Sequence, residues 1–418
     1  MQGEDAPRML SPYRVLDLAD EAGILAGKIL ADLGADVVAV EPPQGNPVRR
    51  LGPFYQGQPH PEHSLVWWAY AAGKRSISLN LQSSDGRALL IRLAATADFL
   101  LESFPPGQMD HLGIGYETLK EVNPRLIMAS MTPFGQDGPC AHYEGPDLVG
   151  MALGGFMHLT GDPDRPPLRI TEPQFGRHIG ASGAAGAMVA HHYRLLTGRG
   201  QHVDISGQQA VARTLAHAPS YWDLNKTSLR RQGAYRPGAE GFRGRVTWPC
   251  KDGYVNFMVS AGPLGAGSNA LMRWMDQEGF GDDFLRSLDW TKLESRDMTE
   301  QFRGKVDPTI ERFFLTKPKQ ELYQEGALAR RMLLFPVNTL QDIREQPQLE
   351  ARRFFVQVQH SEEGASIAYP GGFIRSSATT VGPQRRAPLL GEHNRDVYVG
   401  ELGLGVHELV ALRRTGVV

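Results

Sequence analysis

The sequence predicts an α/β fold in two domains, and three observations carry that expectation. A strand–helix–strand unit stands near the amino end, and strands go on alternating with helices through the first third. Beyond about residue 225 the pattern changes to a hairpin followed by charged helices. A length of 418 residues also exceeds one ordinary hydrophobic core, which favours division into domains.

Tyr13-Arg14-Val15-Leu16-Asp17-Leu18 reads as a short apolar strand, and Gly23 to Leu33 carries apolar residues at helical spacing before Gly34. Val37 to Val40 forms the next strand and stops at Glu41-Pro42-Pro43. Such a βαβ unit implies a parallel sheet with a right-handed crossover. Further strands are expected at Ser76 to Leu79, Phe99 to Glu102 and Leu126 to Ser130, with helices between them. The turn after the first strand, Ala19-Asp20-Glu21-Ala22-Gly23, lacks G-x-G-x-x-G and sets two acids where a pyrophosphate would meet a helix N-terminus. The sheet is therefore expected to be Rossmann-like without NAD or FAD.

A helix follows from Gly180 to Leu196. Gly180, Gly183 and Gly186 weaken it by about 1 kcal/mol each against alanine, so another backbone, a subunit or a ligand must approach closely. Gly244 to Trp248 and Tyr254 to Val259, flanking Cys250-Lys251-Asp252-Gly253, read as an antiparallel hairpin. Charged helices are expected near Asn269 to Glu278 and Met298 to Leu315. The expected division is 1–225 for the first part of a large domain, 226–333 for a small α+β domain, and 334–418 for a return to the large one.

Composition narrows the function. Hydrophobic content of 41% and a formal charge of -2 fit a globular protein with no electrostatic call on nucleic acid or an anionic membrane. Arg230, Arg231, Arg236, Arg243 and Arg245 lack aromatic interleaving and read as a solvated or subunit-facing surface. Two cysteines, Cys140 and Cys250, make neither a disulfide framework nor a zinc spacing. His191 and His192 are adjacent on a helix and point about 100° apart, so they form no metal pair. No metal site is expected. With no signal peptide or membrane-spanning run, a cytoplasmic location is expected.

The run Thr197-Gly198-Arg199-Gly200-Gln201-His202-Val203-Asp204-Ile205-Ser206 resembles the strand-entry signature of the family III (CaiB/BaiF-type) coenzyme A transferases. Collinear segments extend the resemblance across the chain: Val15-Leu16-Asp17-Leu18, Glu41-Pro42, Gly73-Lys74-Arg75-Ser76, Asn123-Pro124-Arg125-Leu126-Ile127, Phe134-Gly135-Gln136-Asp137-Gly138-Pro139, Pro336-Val337-Asn338-Thr339 and Pro388-Leu389-Leu390-Gly391-Glu392-His393. The resemblance implies a large α/β domain built from both chain ends, a small domain, and two subunits interlocked like chain links. It implies a coenzyme A thioester as substrate and no covalently bound cofactor.

That family's nucleophilic Asp stands 21 residues before the Thr and four before a Gly. Here the count lands on Gly176, with Gly180 in place. The family chemistry needs a carboxylate that attacks the acyl-CoA thioester to give a mixed anhydride, which the released CoA thiolate converts to an enzyme thioester before an incoming acid takes the CoA. Glycine supplies no such group. Glu172, held extended by Pro173, is the fallback nucleophile. The racemase branch is disfavoured, because Pro146 replaces the His before Asp147 and Gly176 replaces the second acid.

Pro173-Gln174 with His178, Gly145 to Ala152, and Leu18-Ala19-Asp20-Glu21 resemble the branch containing benzylsuccinate CoA-transferase of anaerobic toluene degradation. That resemblance implies a heteromer of two family III subunits, only one bearing the nucleophilic Asp, which moves CoA from succinyl-CoA to an aryl-substituted succinate. This chain matches the subunit without the Asp. Its partner would be an Asp-bearing homologue, in a heterodimer or heterotetramer. An active homodimer using a displaced acid, or a CoA-binding module without turnover, are the alternatives.

For CoA itself the resemblance implicates Pro42, Lys74, Arg75, Phe104 and Pro105. The family's F-R-P-G becomes Phe104-Pro105-Pro106-Gly107 here and loses an Arg. Gly262, Gly265 and Gly267, within Ser260 to Ser268, loosely resemble the family's glycine-rich lid over the acyl group, and equally a plain surface loop.

Overall fold

The computed structural model describes residues 7–237 and 243–418. Packing divides the chain into two units: Met1–Met157 with Arg169–Thr227 and Gln348–Val418, and His158–Leu168 with Ser228–Pro347.

The first unit is built on six parallel strands: β1 (Arg14–Asp17), β2 (Asp36–Glu41), β3 (Arg75–Ser78), β4 (Phe99–Glu102), β5 (Ile127–Thr132) and β6 (His202–Ser206), in the order β3-β2-β1-β4-β5-β6. This is the doubly wound Rossmann order, in which the chain turns back beside β1 to enter β4. Alternate residues leave each strand on opposite faces. Val15, Val37, Phe99, Leu101, Ile127 and Ala129 pack with α1 (Ile24–Asp32) and the long helix α4 (Phe175–Thr197); Leu16, Val38, Ile77, Leu100 and Met128 pack with α2 (Ser84–Ala94). A short helix, α3 (Asp147–Leu153), precedes α4.

The glycines of α4 meet this chain's own backbone and strands. A Cβ on Gly180 would lie 2.8 Å from Leu25 Cβ, and one on Gly183 2.4 Å from Met131 Sδ, so close packing on α1 and β5 accounts for both. The strand-entry run is explained in the same way. Gly198 ends α4 in the left-handed conformation (φ 76°), and a Cβ on Gly200 would lie 2.0 Å from Leu126 O.

The C-terminal segment returns to cover the edge strand. His393 N donates to Ser76 O at 2.9 Å, Ser78 N to Asn394 Oδ1 at 2.9 Å, and Tyr398 Oη to Ser78 O at 2.8 Å. These bonds occupy groups that β3 would otherwise present unpaired.

The second unit centres on an antiparallel sheet of β7 (Thr247–Cys250), β8 (Gly253–Phe257) and β9 (Leu334–Pro336), packed with α5 (Ala266–Gln277) and α6 (Glu300–Leu315) around Trp248, Trp274, Trp290, Phe313 and Phe314. The hairpin turns at Lys251–Asp252, because Cys250 pairs with Gly253; Arg243–Arg245 belongs instead to a separate ladder with Tyr235–Pro237. The expected boundary at 333 moves to 347, since β9 pairs with β8. Residues 158–168 also join this unit: Gly233 N donates to Gly161 O, and Arg231 donates to the carbonyls of His158, Asp162 and Arg165. Arg231 is therefore a structural tie. A polypeptide extending from β6 to α7 (Val406–Arg414) thus leaves the first unit for the second and comes back.

Candidate functional site

In a doubly wound sheet the strand order reverses at one point, and the loops leaving the carboxyl ends there diverge to open a crevice. Here that point lies between β1 and β4, and a cavity of about 620 Å3 opens at it. Asp20 and Glu21 follow β1, Ser103 to Pro106 follow β4, Tyr143 to Asp147 form the approach to α3, and Pro173, Phe175 and Gly176 begin α4.

Hydrogen bonds fix its walls. Ser103 Oγ donates to Asp20 Oδ1 at 2.8 Å and accepts from Asp20 N at 2.9 Å, tying the two diverging loops together. Asp147 Oδ1 accepts from Gln174 N at 2.6 Å and Phe175 N at 2.8 Å, so this acid caps the start of α4. Glu102, at the end of β4, is buried, and its Oε2 accepts from Phe104 N at 2.7 Å. Burial, with Asp20 and Asp204 adding repulsion, pushes its carboxyl up to about 7 against the pull of Ser130 and the Phe104 amide. Ser130 Oγ in turn lies 2.8 Å from His202 Nε2, and burial holds that imidazole below its usual range. These groups line a smaller cavity of about 150 Å3 with Tyr116, whose ring stacks on His202.

Gly176 sits on the main cavity wall, and a side chain there has no room. A Cβ would stand 2.5 Å from Glu21 O and 3.5 Å from Ala22 Cα, both backbone atoms of the turn after β1. Glu172 is exposed and does not belong to the cavity wall. Phe104 and Pro105 do line it. Pro42 is half-buried just after β2, outside that wall.

The cations expected at phosphate are engaged inside the protein. Lys74 is buried, with Nζ 2.7 Å from Asp17 Oδ2 and donating to Ile24 O at 3.0 Å. Arg75 grips Asp36 through two nitrogens and also pairs with Glu401. The reason is their position at the start of β3, from which Lys74 reaches the acid that ends β1 and Arg75 the acid that begins β2.

In the second unit the glycine-rich segment is ordered. Gly262 to Leu264 makes one tight turn, Gly265 packs so closely that a Cβ would lie 2.3 Å from Trp290 O, and Gly267 is already inside α5. Ser268 Oγ closes the turn by accepting from Ser260 N at 2.9 Å.

Sequence reasoning passed over Asp20, Ser103, Glu102 and His202 as members of a site. The one signal was an acid, Glu102, closing an otherwise apolar strand. Among the described residues no group of three His, Cys, Asp or Glu side chains is placed to hold a metal ion, and no helix is long and apolar enough to cross a membrane.

This fold and cleft have relatives. Residues 10–394 match the model of CoA-transferase family III. Over 98% of both chains the protein is 36% identical to succinyl-CoA:(R)-benzylsuccinate CoA-transferase subunit BbsE of Thauera aromatica. It is 32% identical to succinyl-CoA–D-citramalate CoA-transferase of Chloroflexus aurantiacus over the full length of both. A crystal structure of a CAIB/BAIF family protein from Brucella suis superposes with a TM-score of 0.82 at 29% identity, covering 95% of this chain and 100% of the other. Substrates of this family are coenzyme A thioesters, and no covalently bound cofactor is required. With the switch-point cleft, the strand-entry run and the match from residue 10 to 394 together, the chain belongs to CoA-transferase family III.

Proposed function

We propose that this chain is the subunit without a nucleophile in a heteromeric CoA-transferase, moving CoA from succinyl-CoA to an aryl-substituted succinate such as benzylsuccinate. The observation that carries the reading is the carbonyl of Glu21 at 2.5 Å from the Cβ position of Gly176. Where the family chemistry requires a carboxylate to be acylated, this chain has both a glycine and a backbone packed into the space. Glu172, exposed and off the cavity wall, is not positioned to replace it. The covalent step then belongs to an Asp-bearing partner.

Similarity to a protein described as a subunit of succinyl-CoA:(R)-benzylsuccinate CoA-transferase supports both the heteromer and the substrate pair. The citramalate enzyme, nearly as similar, acts on another acceptor, so the choice of benzylsuccinate rests on the first likeness. An uncovered apolar surface supports a protein partner: Leu148 and Leu153 on α3, and Val189 and Leu196 on α4, are 50%, 51%, 72% and 73% exposed. We propose the interlocked family dimer, with the Asp-bearing homologue, as what covers it. Phe104 and Pro105 would flank the thioester in this chain's cleft, while Lys74 and Arg75 hold β3 in place.

The test is CoA transfer from succinyl-CoA to benzylsuccinate by this chain alone and mixed with its Asp-bearing homologue. Turnover only in the mixture is expected. Turnover by the chain alone, abolished in Glu172→Gln, would establish the displaced-acid homodimer instead. CoA binding without turnover in either format would leave a binding module.

A further inference from the structure

We propose that Glu102, Ser130 and His202 form a proton relay behind the main cavity, through which the charge state of Glu102 positions the cleft wall at Phe104 and Pro105. Glu102 acts through that wall and is a positioning residue. Its bearing on CoA transfer rests on the reading in which Phe104 and Pro105 flank the thioester; the relay itself does not.

The three side chains stand on adjacent strands and run from the interior to the surface. Glu102 closes β4 and Ser130 pairs with it in register on β5, and both are buried. His202 opens β6 and is exposed. The Glu102 carboxyl is hydrogen-bonded to the Ser130 hydroxyl, and Ser130 Oγ lies 2.8 Å from His202 Nε2. Tyr116 stacks on the imidazole with ring centroids 5.5 Å apart and fixes its orientation. The other contact of Glu102 is to the wall, since Oε2 accepts from Phe104 N at 2.7 Å. Pro105, the next residue, lines both the cavity beside the relay and the main cleft, so the loop leaving β4 is the partition between them.

Ser130 has one hydrogen to donate and lone pairs to accept with. When Glu102 is protonated, its O–H donates to Ser130 Oγ, Ser130 donates to His202 Nε2, and the neutral imidazole keeps its hydrogen on Nδ1. Release of the Glu102 proton reverses each bond. That proton stays on Ser130 Oγ, the Ser130 hydrogen passes to Nε2, and the Nδ1 hydrogen leaves to water. The imidazole ends neutral with its hydrogen on Nε2, and one proton has passed from a buried carboxyl to solvent.

The charged groups facing the relay are mostly acids. Asp20 on the turn after β1 and Asp204 on β6 act on Glu102, and Asp204, Asp110 and Glu117 act on His202. Lys120 lies over the Tyr116 ring but pairs with Glu117. Burial is the larger influence on Glu102 and raises its carboxyl from 4.5 to about 7. A loop movement that lets water reach this carboxyl is therefore favoured once it ionises. The wall is held by the carboxylic acid, fully so below pH 4.5, and loosens as pH rises to about 7.

The experiment follows both ends of the relay in the full chain, native, Glu102→Gln and Ser130→Ala, without turnover or a partner. Nitrogen NMR of histidine-labelled protein reads the His202 tautomer, with His202→Gln to assign the signal. Hydrogen exchange reads the wall: Pro105 and Pro106 carry no amide hydrogen, so Phe104 is the reporter between Ser103 and Gly107. In the native chain the tautomer is expected to change from Nδ1–H to Nε2–H between pH 6.5 and pH 8. Protection of the Phe104 amide, corrected for the intrinsic rate, should fall by roughly tenfold or more between pH 5 and pH 7.5. Glu102→Gln should remove both changes, and Ser130→Ala should remove the tautomer change while exchange stays dependent on pH. A single native tautomer throughout, a tautomer change that survives Ser130→Ala, or the same pH dependence of Phe104 protection in native and Glu102→Gln would each overturn the proposal, whatever the mixing assay shows.

Discussion

At position 176 the room for a side chain is taken by the peptide carbonyl of Glu21, and the consequence is testable. Gly176→Asp is expected to produce no transferase from the isolated chain, because the turn after β1 must move before any carboxylate fits. Displacing packed backbone destabilises by about 1–3 kcal/mol, read as a lower thermal midpoint. Turnover appearing in that single variant would show that glycine alone had silenced the site. Glu102 makes the second prediction at this scale. Its carboxyl, raised from 4.5 to about 7 by burial, binds a proton in the folded chain over a pH range where the unfolded chain has released it. Stability contributed this way is present below pH 4.5 and lost as pH climbs to about 7, by at most about 3 kcal/mol. The imidazoles of His178 and His202, held below their usual range by desolvation, act in the opposite sense. The measurement is therefore the difference between native and Glu102→Gln denaturant midpoints at pH 5 and pH 7.5. The variant should gain on the native chain as pH rises, and parallel curves would remove Glu102 as the titrating group. The glycine at 176 was found by counting back from Thr197. The blocking carbonyl was not, because Glu21 lies 155 positions before Gly176 and only folding brings them together.

Among elements, α4 shows how one residue type serves different ends. Gly183→Ala adds a Cβ 2.4 Å from Met131 Sδ and should destabilise by about 1–3 kcal/mol. Gly267→Ala, inside α5 with nothing within 4 Å of the new carbon, should stabilise by about 0.5–1 kcal/mol through helix propensity. Urea unfolding separates them, and a destabilised Gly267→Ala would mean that this residue serves as a hinge. The positions of β1 to β5 were legible to within a residue or two, since short runs containing buried apolar side chains are bounded by turn signals. The three-residue strand β9 was not, because its place is decided by pairing with β8. Arg231 likewise reads as a surface charge until the three carbonyls it bonds are seen together.

For the whole molecule the question is assembly. Four large apolar side chains on α3 and α4, Leu148, Leu153, Val189 and Leu196, stand at least half exposed and would be covered by a protein partner. In the mixing assay, Val189→Glu should therefore lower turnover and weaken association in light scattering while leaving the chain folded. Unchanged assembly would direct the search for the contact elsewhere on the chain. Much of this protein was determined by the sequence alone: a parallel α/β sheet, a second unit inserted before a returning C-terminal segment, and membership of a CoA-transferase family. Those features are local patterns or spacings, and periodicity records them directly. Tertiary structure alone decided which charges are paired. Lys74 and Arg75 were spent on Asp17, Asp36 and Glu401, because ion pairing depends on distance in space and leaves no trace in spacing along the chain.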